Sequence, residues 1–271
     1  MRLAAVLLCS ALLLSCAGPR DATNGTVTYP DGIANSRDTV DLKIGDFYQR
    51  LRIVRPADAE KAVLVLLTGG DGHLGIRADG SIAIGGNFLV RTREQWAAKG
   101  FLVLLPDRPA GRPSLANYRT TDGYRAILEA ILAHAREQSD KPIWLMGTSA
   151  GTPGALFGAA SLGDAVHGAV VSSAITLPSG NNHDTVFSVA LDRIRQPVLI
   201  QYHTDDRCFV TPPGNVPRIQ SALSGAAAVA IQSFSGGLPP ASSACEARAQ
   251  HGFYGLESQV VDAASRWMLI H

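Results

Sequence analysis

Along the chain, short runs of consecutive apolar residues alternate with longer stretches in which apolar positions return every three or four. Val63-Leu64-Val65-Leu66-Leu67 and Phe101-Leu102-Val103-Leu104-Leu105 leave no polar position for a solvent-facing side. Such runs are expected of strands covered on both faces, the usual state of a parallel sheet. The pattern predicts strands over 39–44, 48–54, 62–68, 101–105, 143–147, 168–172, 197–202 and 227–234, and helices over 89–99, 122–138, 150–161, 216–224 and 256–269. Within 122–138, Ala126, Ile127, Ala130, Ile131 and Leu132 make the apolar side and leave Arg125, Glu129 and Arg136 to water. This alternation predicts an α/β fold with a mostly parallel eight-stranded sheet and helices on both faces. The first two strands have no room for a helix between them, so the sheet should begin antiparallel.

The amino-terminal residues stand outside that alternation. Arg2 precedes an apolar run over 3–14, and Ser15, Cys16, Ala17 and Gly18 follow. A positive start, a short apolar stretch and a small-residue exit have the form of a secretory signal. The run falls short of the roughly 20 residues a membrane span needs. Leu13-Leu14-Ser15-Cys16 also resembles a bacterial lipobox, in which Cys16 is lipidated and attaches the protein to a membrane; cleavage after Ala17 and release is the alternative. Either way the chain is expected to be exported, as a periplasmic protein or a membrane-anchored lipoprotein. The expected division is a signal over 1–17, a polar, flexible tether over 18–37 and one folded unit over 38–271.

Composition narrows the functional classes. With 46% apolar and 17% charged residues, the chain can build a sizeable core and lacks the signature of disorder. Twenty-four basic residues against 23 acidic ones leave a formal net charge of +1, which argues against a nucleic-acid partner. Beyond the signal only Cys208 and Cys245 remain, and an even pair in an oxidising compartment is most simply one disulfide, with two free thiols as the alternative. Their spacing offers no metal site.

The chemistry is carried by Gly147-Thr148-Ser149-Ala150-Gly151. A serine hydroxyl becomes a useful nucleophile only when exposed, bonded to a base and faced by donors for the oxyanion it creates. A sharp strand-to-helix turn supplies the exposure, and the N–H of Ala150 at the following helix start supplies one donor. The context fits: the strand over 143–147 precedes the motif, a small-residue helix follows, and Pro153 falls where a helix tolerates it.

An acid and then a histidine should follow, each after a late strand. The strand over 197–202 leads to His203-Thr204-Asp205-Asp206-Arg207-Cys208. Asp206 is favoured by its distance beyond the strand, with Asp205 as the alternative and the other aspartate left to a turn. Of the two downstream histidines, His271 ends the chain, whereas His251 lies in a glycine-flanked loop before the last helix and is the expected base. A Cys208–Cys245 bridge would tie these two loops together. The second oxyanion donor is expected from Thr68-Gly69-Gly70-Asp71-Gly72-His73, through the N–H of Gly70 or Asp71; His73 either lines the pocket or caps the turn.

Taken together, GTSAG, the aspartate loop and the His251 loop resemble the α/β-hydrolase superfamily, over residues 39 to 270. The resemblance implies acyl-transfer chemistry at Ser149, Asp206 and His251 on a small-molecule ester, without a metal or organic cofactor. It is nearest to small lid-less bacterial hydrolases with Asp-x-Cys and Cys…His-Gly loops. One departure is the oxyanion loop, Thr68-Gly69-Gly70-Asp71-Gly72, where the family usually begins with His-Gly.

Overall fold

The computed structural model describes residues 25–271, and its centre is made by the continuous apolar runs. Eight strands, β1 (Thr39–Ile44), β2 (Phe47–Val54), β3 (Ala62–Leu67), β4 (Phe101–Pro106), β5 (Ile143–Thr148), β6 (Gly168–Ser172), β7 (Val198–His203) and β8 (Val229–Phe234), form one sheet. Their order is β1-β2-β4-β3-β5-β6-β7-β8. β1 pairs antiparallel with β2, and β2 with β4. From β4 to β8 every neighbouring pair is parallel.

Side chains on a strand alternate between faces, and the core divides accordingly. Val63, Val65 and Leu67 of β3 join Leu102, Leu104, Ile143 and Leu145 in one apolar layer, under α3 (Asp122–Gln138), α4 (Thr152–Leu162) and α5 (Val216–Ala222). Leu64 and Leu66 join Phe101, Val103, Trp144 and Met146 in the other, under α1 (Phe88–Arg91), α2 (Arg93–Ala98) and α6 (Glu257–Met268). Burying each such side chain is worth roughly 1.5–3 kcal/mol, so a strand with both faces covered has no register in which it could face water.

Two features differ from the sequence reading. The helix expected over 89–99 is two short helices that meet at Thr92, whose hydroxyl donates to Phe88 O (2.7 Å) and accepts from Trp96 Nε1 (3.0 Å). A threonine that bonds back to the preceding turn bends or interrupts a helix. Part of the stretch expected as a tether over 18–37 is instead packed: Thr26 and Tyr29 are buried and Val27 bridges to Phe47 of β2. Tyr29 is buried, donates to Arg108 O and accepts the Arg50 N–H. The buried Arg50 guanidinium pairs with Asp41 and Asp31, both at 2.7 Å. The signal over 1–17, Cys16 and the tether up to residue 24 lie outside the described residues. Among the described residues no helix is long and apolar enough to cross a membrane.

Candidate active site

The parallel strands β3, β5, β6 and β7 all end on one edge of the sheet, where open α/β sheets place their ligands. β5 turns there within a few residues into α4, and Ser149 sits at the apex with φ 51°. That left-handed conformation costs a non-glycine residue about 1–2 kcal/mol. The turn is tight enough that a β-carbon on Gly151 would overlap the Leu67 carbonyl, and one on Gly147 would lie 2.5 Å from Gly151 O. The two motif glycines are therefore steric requirements. The Thr152 hydroxyl donates to Ser149 O (2.6 Å) and accepts the Ile175 N–H (3.1 Å), tying the turn to the chain after β6. The start of α4 beneath Ser149 favours negative charge.

β7 delivers the carboxylate. Asp206 is buried; its Oδ1 accepts the Cys208 N–H (2.9 Å), and its Oδ2 accepts the Thr211 hydroxyl (2.8 Å) and lies 3.0 Å from His251 Nδ1. Asp205 is exposed, and its N–H donates to His203 Nδ1 in the turn. Of the two adjacent aspartates, Asp206 thus meets the histidine.

His251 is buried in a short turn over Gln250–Gly252. Its carbonyl accepts the Ser173 hydroxyl (2.7 Å), and Arg91 donates to Gly252 O while pairing with Glu257 at 2.8 Å. Phe253, at φ 55°, closes the turn and packs its ring against Phe88 and Phe234. The Thr211 hydroxyl lies 3.1 Å from the same Nδ1, so this ring nitrogen faces both Asp206 and Thr211 and Nε2 is the nitrogen left for another partner. The Cys208–Cys245 disulfide joins the loop that carries Asp206 to the segment before His251. Ala150 shares a small apolar cluster with Ile175, Cys208 and Val210, which sets the residue after Ser149 against the loop that follows Asp206.

The glycine loop after β3 completes the edge. A β-carbon on Gly69 would lie 2.9 Å from Ser149 Cβ and 3.5 Å from Ala150 N, so the loop backbone passes directly against the serine turn. Gly70 follows at φ 61°. Asp71 braces the loop, its carboxylate accepting the His73 N–H (2.9 Å) and pairing with Arg108 (2.6 Å). His73 lines a cleft of about 460 Å³ between this loop and residues 242–248, which contribute Ser242, Glu246 and Arg248.

Three supports were not identified from sequence. Asp107, just past β4, accepts the N–H groups of Leu74 and Ile76, each at 2.7 Å. Its position at a strand end was the available signal. The Arg119 guanidinium donates to Thr68 O (3.3 Å) and Gly70 O (3.0 Å). Ser173, at φ 45°, meets His251 only through the sheet. Nothing local distinguishes Arg119 or Ser173 from other loop residues.

No family model and no curated protein sequence matches the chain, but solved structures do. Est1E from Butyrivibrio proteoclasticus superposes with a TM-score of 0.60 over 86% of this chain and 98% of its own, at 14% identity. Dienelactone hydrolase from Anabaena variabilis gives 0.59 over 86% and 96%, at 16% identity. A monoacylglycerol lipase from Paleococcus ferrophilus gives 0.54 over 82% and 99%, at 17% identity. The sheet order and these likenesses define the class: the chain has the α/β-hydrolase fold. At such identities the likeness carries the fold, and chemistry must be argued from the site.

Proposed function

We propose that this protein is a serine hydrolase that cleaves carboxylic esters through an acyl-enzyme on Ser149. The observation that carries the reading is the buried contact between His251 Nδ1 and Asp206 Oδ2, 3.0 Å apart, on the sheet edge where Ser149 is held in a strained turn. In the proposed reaction the Ser149 hydroxyl proton passes to His251 Nε2 as Oγ attacks the ester carbon. The N–H of Ala150 and that of Gly70 or Asp71 hold the oxyanion. Asp206 stabilises the imidazolium. His251 then protonates the leaving alcohol, takes a proton from water and so directs hydroxide at the acyl carbon. The acid departs and Ser149 regains its proton. The fold neighbours' own names include an esterase, a dienelactone hydrolase, a lipase and an acylaminoacyl peptidase, and three of these four point to an ester as the acyl donor. The reading includes export, as a soluble protein or one anchored through Cys16, since a structural disulfide suits an oxidising compartment.

Hydrolysis of p-nitrophenyl esters from acetate to decanoate tests the proposal. Wild type should turn over at least the short esters, and Ser149→Ala should lose about 10⁴-fold or more in kcat. Equal activity in the variant would overturn the nucleophile.

A further inference from the structure

The loop after β3 has a mechanical problem. Gly69 must lack a side chain because a β-carbon there would crowd Ser149, and Gly70 adopts φ 61°. Two consecutive glycines, one forced by crowding and one in the left-handed region, leave the peptides around them with unusual freedom to rotate. A rotated peptide would turn a carbonyl, in place of an N–H, toward the oxyanion.

Arg119 answers that freedom. Its side chain is buried, and among the described residues its hydrogen bonds go to backbone carbonyls and to no carboxylate; Nη1 is buried without a partner. Burial accordingly pulls the guanidinium below its usual range, against the opposing influence of Tyr124, Asp184 and Asp71. An arrangement this costly is not explained by stability. What the guanidinium does engage is the carbonyls of Thr68 and Gly70, on either side of the Gly69–Gly70 peptide. In a trans peptide the carbonyl and the next N–H point opposite ways, and no cis bond occurs among the described residues. Holding those two carbonyls therefore turns the N–H groups of Gly69 and Asp71 away from Arg119 and traps the Gly70 N–H between two fixed planes. Arg119 is itself anchored, since its own N–H and the Thr120 hydroxyl both donate to Asp184.

Resting on the serine-hydrolase reading, we propose that Arg119 is a positioning residue that holds the glycine loop in the state able to receive the oxyanion. It touches no substrate; it acts through the amides of Gly70 and Asp71.

The test compares wild type, Ser149→Ala, Arg119→Lys and Arg119→Met on the best p-nitrophenyl ester. A 1,1,1-trifluoro-2-alkanone of matching chain length serves as inhibitor, because its carbonyl carbon bonds to Ser149 Oγ and places an oxyanion in the same site. Arg119→Met should lower kcat about 10²–10³-fold, the usual effect of a lost oxyanion donor. KM should stay within about threefold and the pH profile should keep its midpoint, while the inhibitor Ki rises by the factor that kcat/KM falls. Arg119→Lys, which can reach one carbonyl but not span both, should fall between Met and wild type. If Arg119→Met does not fold, the lysine variant decides alone, by a matched loss in kcat/KM and gain in Ki. Wild-type kcat in either folded variant, or a kcat loss with unchanged Ki, overturns the positioning role while leaving the hydrolase reading intact. An inert wild type overturns both.

Discussion

Replacing Cys208 and Cys245 together by alanine removes the link between the loop that carries Asp206 and the loop that carries His251. The bridge spans 37 residues, and in the chain-entropy model closing a loop of that length is worth about 4 kcal/mol at 25 °C. For a domain of this size each kcal/mol moves Tm by about 2–4 °C, so the double variant should melt about 8–16 °C lower. A second effect should accompany the first. Cys208 donates its N–H to Asp206 Oδ1, and the Asp206–His251 contact is buried on both sides. A loosened acid loop misplaces the base, and misplacement by an ångström can cost about 100-fold; we expect kcat to fall by about 10–100-fold with KM little changed. Calorimetry and ester kinetics on the double variant, beside wild type treated with a reducing phosphine, read both effects. A Tm within about 3 °C of wild type would refute the entropic reasoning, and unchanged kcat would refute the coupling between the two loops.

Asp206→Asn, which keeps the shape but removes the charge facing His251, should lower kcat by about 10⁴-fold, whereas Asp205→Asn should stay within about twofold as an exposed surface change; steady-state kinetics of the two separate the neighbours. Burial alone would raise the Asp31 carboxyl, but hydrogen bonds from Arg50 and the Ala78 N–H hold it below the ordinary range. A carboxyl lowered on folding stabilises the protein above its unfolded pKa of about 3.9 and loses that contribution as pH falls through the lower folded value. Urea midpoints between pH 6 and 3 should therefore fall less steeply for Asp31→Asn than for wild type, and parallel curves would remove Asp31 from the acid response.

The legible part of the molecule is the part set by local pattern. β3 and β4 announce themselves because strands covered on both faces cannot carry polar positions, and the short gap between β1 and β2 excludes a crossover. Ser149 is legible because the steric limits at Gly147 and Gly151 leave little choice of residue. The Asp206–His251 partnership was readable only as an order along the chain, since β7 and the turn before α6 meet through the sheet. Thr92 hid its effect because the apolar period runs straight through it. Residues 26–36 looked like a tether because they are polar, yet their polar groups are engaged: Asp31 meets Arg50, a cation buried inside a strand. Arg119 and Asp107 act on backbone groups of a distant loop, and a side chain that recognises carbonyls or amides leaves no partner residue in the sequence to betray it.

Labelling the wild-type protein and Ser149→Ala with a fluorophosphonate, and mapping the adduct by mass spectrometry, would show whether Ser149 is an activated nucleophile. An activated Ser149 should give one phosphonyl group per wild-type chain, on the peptide containing Ser149, and none on the variant. Equal labelling of both proteins, or an adduct on another residue, would contradict it.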